Sequence, residues 1–377
     1  MWTRRCLLPS LVLLLATPGW GRVFIRWTAP AIPPAQKLGV RNIVISWQGE
    51  PAGLLQMARR EGYLVYVEVG SEQVKAAEQA GAKDGIAGVI VKSTQSSPES
   101  VSEGAVDGGP ALTQSRVLLS APGGKEPQLR GTTVVSRRGF LAVSSPTRQP
   151  WIDSNVALIR YERLIRPSQP PLLEYPWELT GALEQQLGPR TEDYELAVAE
   201  AGAFHADLIL NLHSHLQQQL AAGNPRAWTA WKQIRNYIDF YARNNDAGAT
   251  LVANVGVVTA GYDTAYEEMN LLARRNIAYR VLPPRDLAQG RLSGLALIVI
   301  FSPLNPADNR VIENFASKGG TAVLVGQQGQ FPWHSEKPVE KNDEAAIYNV
   351  GSGKVVELST PIVNPDAFAE DIRRLLK

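Results

Sequence analysis

The sequence predicts an α/β protein in two parts, a (β/α)8-type barrel followed by a doubly wound sheet. Three observations carry this prediction. From residue 23 onward, short apolar or β-branched runs alternate with stretches of helical periodicity, the texture of parallel sheets with covering helices. Eight such runs precede a polar break at residues 244–248. After that break a fresh β-α-β series begins.

The barrel strands are expected at 23–27, 42–47, 64–69, 88–91, 116–120, 139–144, 171–175 and 207–212. Helices at 51–60 and 71–80 fall between them, with Gly62 and Gly81 where helix C-caps belong. Two stretches depart from the regular pattern. Residues 94–109, rich in Ser, Gly and acidic side chains, read as a surface loop in place of the helix after the fourth strand. Residues 132–145 read equally well as a β-hairpin outside the barrel, turning at Arg137-Arg138-Gly139, which would leave the barrel distorted or incomplete.

A helix over 222–245 spaces Trp228, Trp231, Ile234, Tyr237, Ile238 and Tyr241 three or four apart, an aromatic face expected to pack on the barrel or on the next domain. The second part is expected to run through strands at 250–258, 278–282, 295–301, 321–325 and 354–358, with helices at 264–275, 308–318 and 365–376. Gly319-Gly320 caps one helix and turns into a strand. The expected domains are therefore 22–246 and 247–377.

Residues 1–21 read as a signal peptide: Arg4 and Arg5, an apolar stretch over 7–16, and a small, turn-prone exit. The apolar stretch is short of the roughly 20 residues a membrane-spanning helix needs, so a retained anchor is the lesser alternative. The paired arginines suit either a twin-arginine or an ordinary secretory route. Cys6, the only cysteine, precedes the apolar stretch and is lost on cleavage, so disulfides, a thiol nucleophile and thiolate metal sites are excluded from the mature chain. The expected location is periplasmic or secreted, with no stable membrane insertion after signal removal. A net charge of +2 from 38 basic and 36 acidic residues gives no single-sign field, and with no basic run or zinc-finger spacing nucleic acid is not an expected partner.

In the C-terminal part, Val255-Gly256-Val257-Val258, Ala296-Leu297-Ile298-Val299-Ile300 and Gly319-Gly320-Thr321-Ala322-Val323-Leu324-Val325-Gly326 resemble a flavodoxin-like, class I glutamine-amidotransferase-like domain. Where that family carries a cysteine in a Gly-x-Cys-x-Gly elbow, this chain has Gly326-Gln327-Gln328-Gly329, so glutaminase chemistry is not implied. A barrel followed by a thiol-free copy of this domain is similar to bacterial β-galactosidases that carry a trimerisation domain. The resemblance implies a glycoside-hydrolase-like barrel and a C-terminal domain able to support a homo-oligomer. In that clan an acid/base glutamate, usually after asparagine, ends the fourth strand and a nucleophilic glutamate ends the seventh. Here the fourth strand ends Val91-Lys92-Ser93, without the Asn-Glu pair.

Glycoside hydrolysis needs two carboxyl groups at close range. Glu174 ends the strand counted seventh and Glu68 lies near the end of the third, so these two are the catalytic candidates, with Glu178 and Asp153 in reserve. Either could instead be a paired or idle carboxylate. Sugar faces pack on aromatic rings, which marks Trp27, Trp47 and Trp177 at strand ends, Tyr175 beside Glu174, and His213 after the eighth strand as substrate-binding candidates, with rim packing as the alternative. His213-Ser214-His215 lacks carboxylates at ligand spacing, so no metal is expected, and no organic cofactor either. A Gly-x-Ser-x-Gly elbow is absent. The expected partner is carbohydrate. The expected function is an exported glycoside-hydrolase-like protein; the alternative is a non-catalytic carbohydrate-binding or assembly module with a degenerate barrel.

Overall fold

The structure, a computed structural model, describes residues 22–47, 53–92, 115–120, 134–137, 140–143, 171–174, 182–244, 252–359 and 365–377, together with residues 157, 159–161, 163–164 and 177. Among the described residues no helix is long and apolar enough to cross a membrane.

The N-terminal strands are β1 (Val23–Arg26), β2 (Asn42–Ser46), β3 (Leu64–Gly70), β4 (Gly88–Lys92), β5 (Ser115–Ser120), β6 (Val134–Arg137), β7 (Phe140–Val143), β8 (Leu172–Glu174) and β9 (Asp207–Asn211). Seven of them close a parallel barrel in the order β1-β2-β3-β4-β5-β8-β9, with β9 returning to pair β1. Among the described residues the barrel therefore has seven strands and not eight, and of the two readings of residues 132–145 the hairpin outside the barrel is the one found. Residues 139–144, counted as the sixth, supply β7, which pairs antiparallel with β6 outside the barrel. The register sets Arg137 opposite Phe140. Two residues between strands suit a hairpin, whereas a parallel partner needs a crossover of about a dozen or more. Glu174 consequently ends the sixth barrel strand and not the seventh.

Alternation along each strand sorts the side chains. Phe24, Val44, Tyr66, Ile90, Leu172 and Ile209 form one separate buried cluster, the plug of the barrel. The intervening residues, among them Ile25, Ile43, Val65, Val67, Leu173, Leu208 and Leu210, face outward into the main core. Two residues beyond the plug, toward the C-terminal strand ends, the same inward register brings Arg26, Ser46, Glu68, Glu174 and Asn211 to the mouth.

The helix Pro225–Arg243 begins where Asn224 Oδ1 accepts from the backbone N–H groups of Arg226 and Ala227, with Pro225 in the first turn. Its Ala227, Trp231, Ile234 and Ile238 are buried, and the Trp231 indole donates to Leu38 O at 2.8 Å. The aromatic stripe read from the sequence divides here. Trp231, Ile234 and Ile238 are core, whereas Tyr237 is exposed.

The C-terminal sheet comprises β10 (Val255–Val258), β11 (Tyr279–Leu282), β12 (Leu297–Ile300), β13 (Thr321–Val325), β14 (Glu340–Lys341), β15 (Ala345–Val350) and β16 (Gly353–Leu358). They run in the order β11-β10-β12-β13-β16-β15-β14, parallel through the first five, with β15 and β14 antiparallel at one edge. One face, with Ile298, Ile300, Ala322, Leu324 and Val355, packs on Ile312 and Ala316 of the helix Pro306–Ser317. The other, with Val257, Val299, Val323 and Val356, joins Met269, Leu272, Phe368 and Ile372 from the helices Tyr266–Arg274 and Pro365–Leu375. The antiparallel hairpin of β14 and β15 was not expected from the sequence.

This second core is continuous with that of the barrel. Helical residues between β7 and β8 make the joint. The Ala157 N–H donates to Asn270 Oδ1 at 3.2 Å, and the Tyr161 hydroxyl to Ala260 O at 3.4 Å. Arg160 donates to Tyr279 O, and its guanidinium lies 4.1 Å from the Tyr279 ring centroid and 5.7 Å from that of Phe204. One cation from the barrel half is therefore faced by an aromatic ring from each half.

Candidate functional site

Arg26 organises the barrel mouth. Its Nη2 donates to Glu68 Oε1 at 2.5 Å, and its Nη1 is ion-paired with Glu174 Oε1. The two glutamates singled out by sequence come from non-adjacent strands, β3 and β8, and meet on one guanidinium from β1. Asn211, which pairs with Arg26 across the β1–β9 seam, extends the array through an Nδ2 contact of 3.5 Å to Glu174 Oε1.

The three charged side chains are 10%, 7% and 8% exposed for Arg26, Glu68 and Glu174, deep enough for their attraction to escape most solvent screening. Burial pulls the Arg26 guanidinium below its ordinary value, while the charge and hydrogen bond of Glu68 pull it back up. Arginine nevertheless stays cationic in any ordinary solution. Arg26 Nε is buried and has no hydrogen-bond partner among the described residues. Ser46, on the strand between β1 and β3, is exposed, so solvent reaches the edge of the cluster.

The backbone at this mouth is held by Gln217, which is 1% exposed. Its Oε1 accepts from the N–H groups of Thr28 at 2.7 Å and Ala29 at 3.0 Å, while its Nε2 donates to Arg26 O at 3.3 Å and Leu212 O at 2.6 Å. The exits of β1 and β9 are thereby tied together directly behind Arg26. Four backbone groups at the two strand exits find a partner in one side chain.

The aromatic candidates are placed differently. Trp27 is fully buried, with its indole N–H on Ala31 O at 3.0 Å, and Trp47 is buried as well. Neither offers an open ring face. Trp177 is half-buried, donates to Asn211 O at 2.7 Å, and stands edge-on to Tyr194 at 5.2 Å. It alone among the three tryptophans combines partial exposure with a direct link to the mouth.

His213 caps the helix Ser214–Ala221 through its Nδ1, which accepts from the His215 N–H at 3.3 Å, and its own N–H donates to the Tyr194 hydroxyl at 3.0 Å. Burial pushes that Tyr194 hydroxyl well above the ordinary tyrosine range. No group of three or more metal-ligating side chains occurs among the described residues. Tyr175, Glu178 and Asp153 lie outside the described residues.

Sequence reasoning missed Arg26, Asn211 and Gln217. Arg26 carried a usable signal, a charged residue in the inward register of an otherwise apolar strand, two positions after Phe24. Gln217 carried none, because its role depends on strand exits brought together from distant parts of the chain.

Beyond β13, Gly326 takes the left-handed φ of 63° and Gln327 donates to Ser302 O at 3.1 Å and Val325 O at 3.2 Å. Amide side-chain hydrogen bonds occupy this loop, and it has no thiol. Nearby, Glu357 Oε1 accepts from the Trp333 indole at 2.7 Å and contacts His334 Nε2 at 2.8 Å.

No family model matches the chain, and no curated protein matches it. Among solved structures, it is similar to the exo-β-1,4-mannosidase Op5Man5 from Opitutaceae bacterium strain TAV5, with 10% identity over 94% of each chain and a TM-score of 0.50. It is also similar to a β-galactosidase from Rahnella sp. R3, with 11% identity, 85% of this chain, 55% of that one and a TM-score of 0.44. A family 42 β-galactosidase from G. stearothermophilus gives 10% identity, 87% of this chain, 54% of that one and a TM-score of 0.42. The chain spans about half the length of these β-galactosidases. At such identities the likeness is one of architecture: the chain has a glycoside-hydrolase-like fold built on a parallel, barrel-like sheet.

Proposed function

We propose that this is an exported, glycoside-hydrolase-like protein that acts on carbohydrate at the barrel mouth, with Glu174 and Glu68 as its carboxylate pair. The observation that carries this reading is the convergence of both glutamates on Arg26 at the C-terminal strand ends, where barrels of this kind place their chemistry. Two carboxyl groups sharing one guanidinium are brought to one place, as the paired-carboxylate chemistry of glycosidases requires. In this reading Glu174 attacks or activates, Glu68 exchanges the proton with the leaving oxygen, and Arg26 orients both. Trp177 supplies an aromatic edge. No cofactor is needed for such chemistry.

The C-terminal domain, in this proposal, is flavodoxin-like and related to class I amidotransferases without their nucleophile. Its strand order, β11-β10-β12-β13-β16, supports that reading. It serves as a homo-oligomer surface, and the protein works in the periplasm or outside the cell.

A second reading keeps the barrel and drops catalysis. The commitment of both glutamates to Arg26, and the lack of a glutamate at the fourth strand end, favour a carbohydrate-binding or assembly module. A broad aryl-glycoside screen on wild type and Glu174→Gln separates the two. The catalytic reading expects turnover that falls about a hundredfold to ten-thousandfold in the variant. Turnover that survives Glu174→Gln removes the assignment of that residue. In the binding reading wild type turns over nothing, yet Trp177→Ala weakens oligosaccharide binding by about 1 kcal/mol or more.

A further inference from the structure

The opposite face of the barrel holds a second buried charge. Asp207 begins β9 and its side chain is fully buried. Its Oδ1 accepts from the backbone nitrogen of Arg22 at 2.6 Å, and its Oδ2 takes Nε and Nη2 of the same arginine, both at 3.1 Å. The Arg22 carbonyl accepts from the Leu208 N–H at 2.9 Å. Residue 22 is thus held on both sides at the foot of the seam that closes the barrel, β1 against β9. A buried carboxylate is strongly unfavourable unless cations and donors surround it, and here Arg22 supplies both a backbone donor and a guanidinium.

The residue it grips is the one that follows the expected leader. Gly19-Trp20-Gly21 places small residues first and third before the junction, the pattern a leader peptidase reads. We propose that cleavage between Gly21 and Arg22 makes the α-ammonium group of Arg22, and that Asp207 is its built receptor site. The proposal rests on the export reading above. Water adds across the amide, its hydroxyl to the Gly21 carbonyl carbon and its hydrogen to the Arg22 nitrogen; the new Gly21 carboxyl group gives up the proton that the amine takes. The carboxylate already accepts from a neutral amide N–H; cleavage turns that donor into a cation, so the contact gains a full ion pair. The precursor holds the seam with one cation and the mature chain with two, so processing tightens barrel closure.

Two measurements test this. First, exported protein is sequenced from its N-terminus, with Arg22 expected. Failure to recover the protein outside the cytoplasm sinks the export reading itself, whereas Met1, or cleavage at another residue, on exported protein sinks only this inference. Second, the mature chain from Arg22 onward is prepared with a free and with an acetylated α-amine, and the two are compared by urea unfolding at pH 7. Acetylation keeps the N–H donor and removes only the charge.

The free-amine form should show a folding constant about tenfold larger, the order of the gain when a neutral donor to a carboxylate is replaced by a charged one. In Asp207→Asn the ratio should fall to near one. Should that variant fail to fold, the wild-type comparison still decides. Equal stability of the two wild-type forms overturns the proposal and leaves export standing.

Discussion

Arg26 on β1 and Glu68 on β3 are joined at 2.5 Å across the width of the intervening strand β2. The contact spans the barrel mouth because β2 contributes only the small, exposed Ser46 at this level. With Glu174 on the far side, the guanidinium balances two carboxylates that would otherwise repel each other in a nearly dry setting.

Replacing Arg26 by methionine keeps much of the stem but strands both carboxylates. The expected loss is about 3–5 kcal/mol of stability, read as a lower urea midpoint. Adding Glu68→Gln and Glu174→Gln to Arg26→Met should recover most of it. No recovery would mean that the guanidinium stabilises by packing and not by charge.

Gln217→Leu preserves approximate size while leaving backbone groups at the ends of β1 and β9 unpaired. Each unpaired group should cost about 1–3 kcal/mol. Faster hydrogen exchange at Thr28 and Ala29, ahead of the rest of the barrel, would show that the loss begins at the mouth. Uniform exchange would argue for a purely global effect.

Stability in alkali should depend on Tyr279. Burial, partly offset by Arg160, pushes this phenol up to about 12 from 10.0. The unfolded chain gives up its proton first, so the contribution is intact below about pH 10 and drains away between pH 10 and 12. The slope is about 1.4 kcal/mol per pH unit for each such tyrosine, and Tyr63 and Tyr194 are raised in the same direction. Tyr279→Phe should flatten the alkaline limb by roughly one proton, measured by urea midpoints across that range.

Gly353→Ala tests the second sheet. A Cβ there would stand 2.1 Å from Gly320 O and 2.4 Å from Ala316 O, both backbone atoms that cannot swing aside. We expect a loss of several kcal/mol, above the about 1–3 kcal/mol of ordinary overpacking, seen in thermal unfolding. A neutral effect would mean that β16 can shift away from β13.

The alternation of apolar runs with helical stretches made most strands legible, because period-two and period-3.6 burial leave their marks in a single window. The run at 321–325 coincides with β13, and those at 42–47 and 88–91 lie within a residue of β2 and β4. Partner choice was only half legible. Residues 140–143 look like any barrel strand, and the sequence left the hairpin at Arg137-Arg138-Gly139 level with a barrel place; pairing with the adjacent Val134–Arg137 run decides it. The acidic candidates could be named from strand ends, yet their common partner Arg26 required knowing that β1 and β8 share one interior. The rim tryptophans failed to open for a related reason. A strand-end position fixes where a residue sits along the barrel axis but not whether the next loop covers it, as the Ala31 carbonyl covers the Trp27 indole.

The closing seam also sets an order of events. Arg22 and Asp207 are 185 residues apart in sequence, and β1, which pairs with β2 on one edge, closes its other edge only when β9 exists. A chain that emerges N-terminus first must carry β1 unpaired on that edge until more than half of its length has followed. Such non-local closure is slow. The same distant contact that delays folding makes the finished barrel hard to unzip from its leading end.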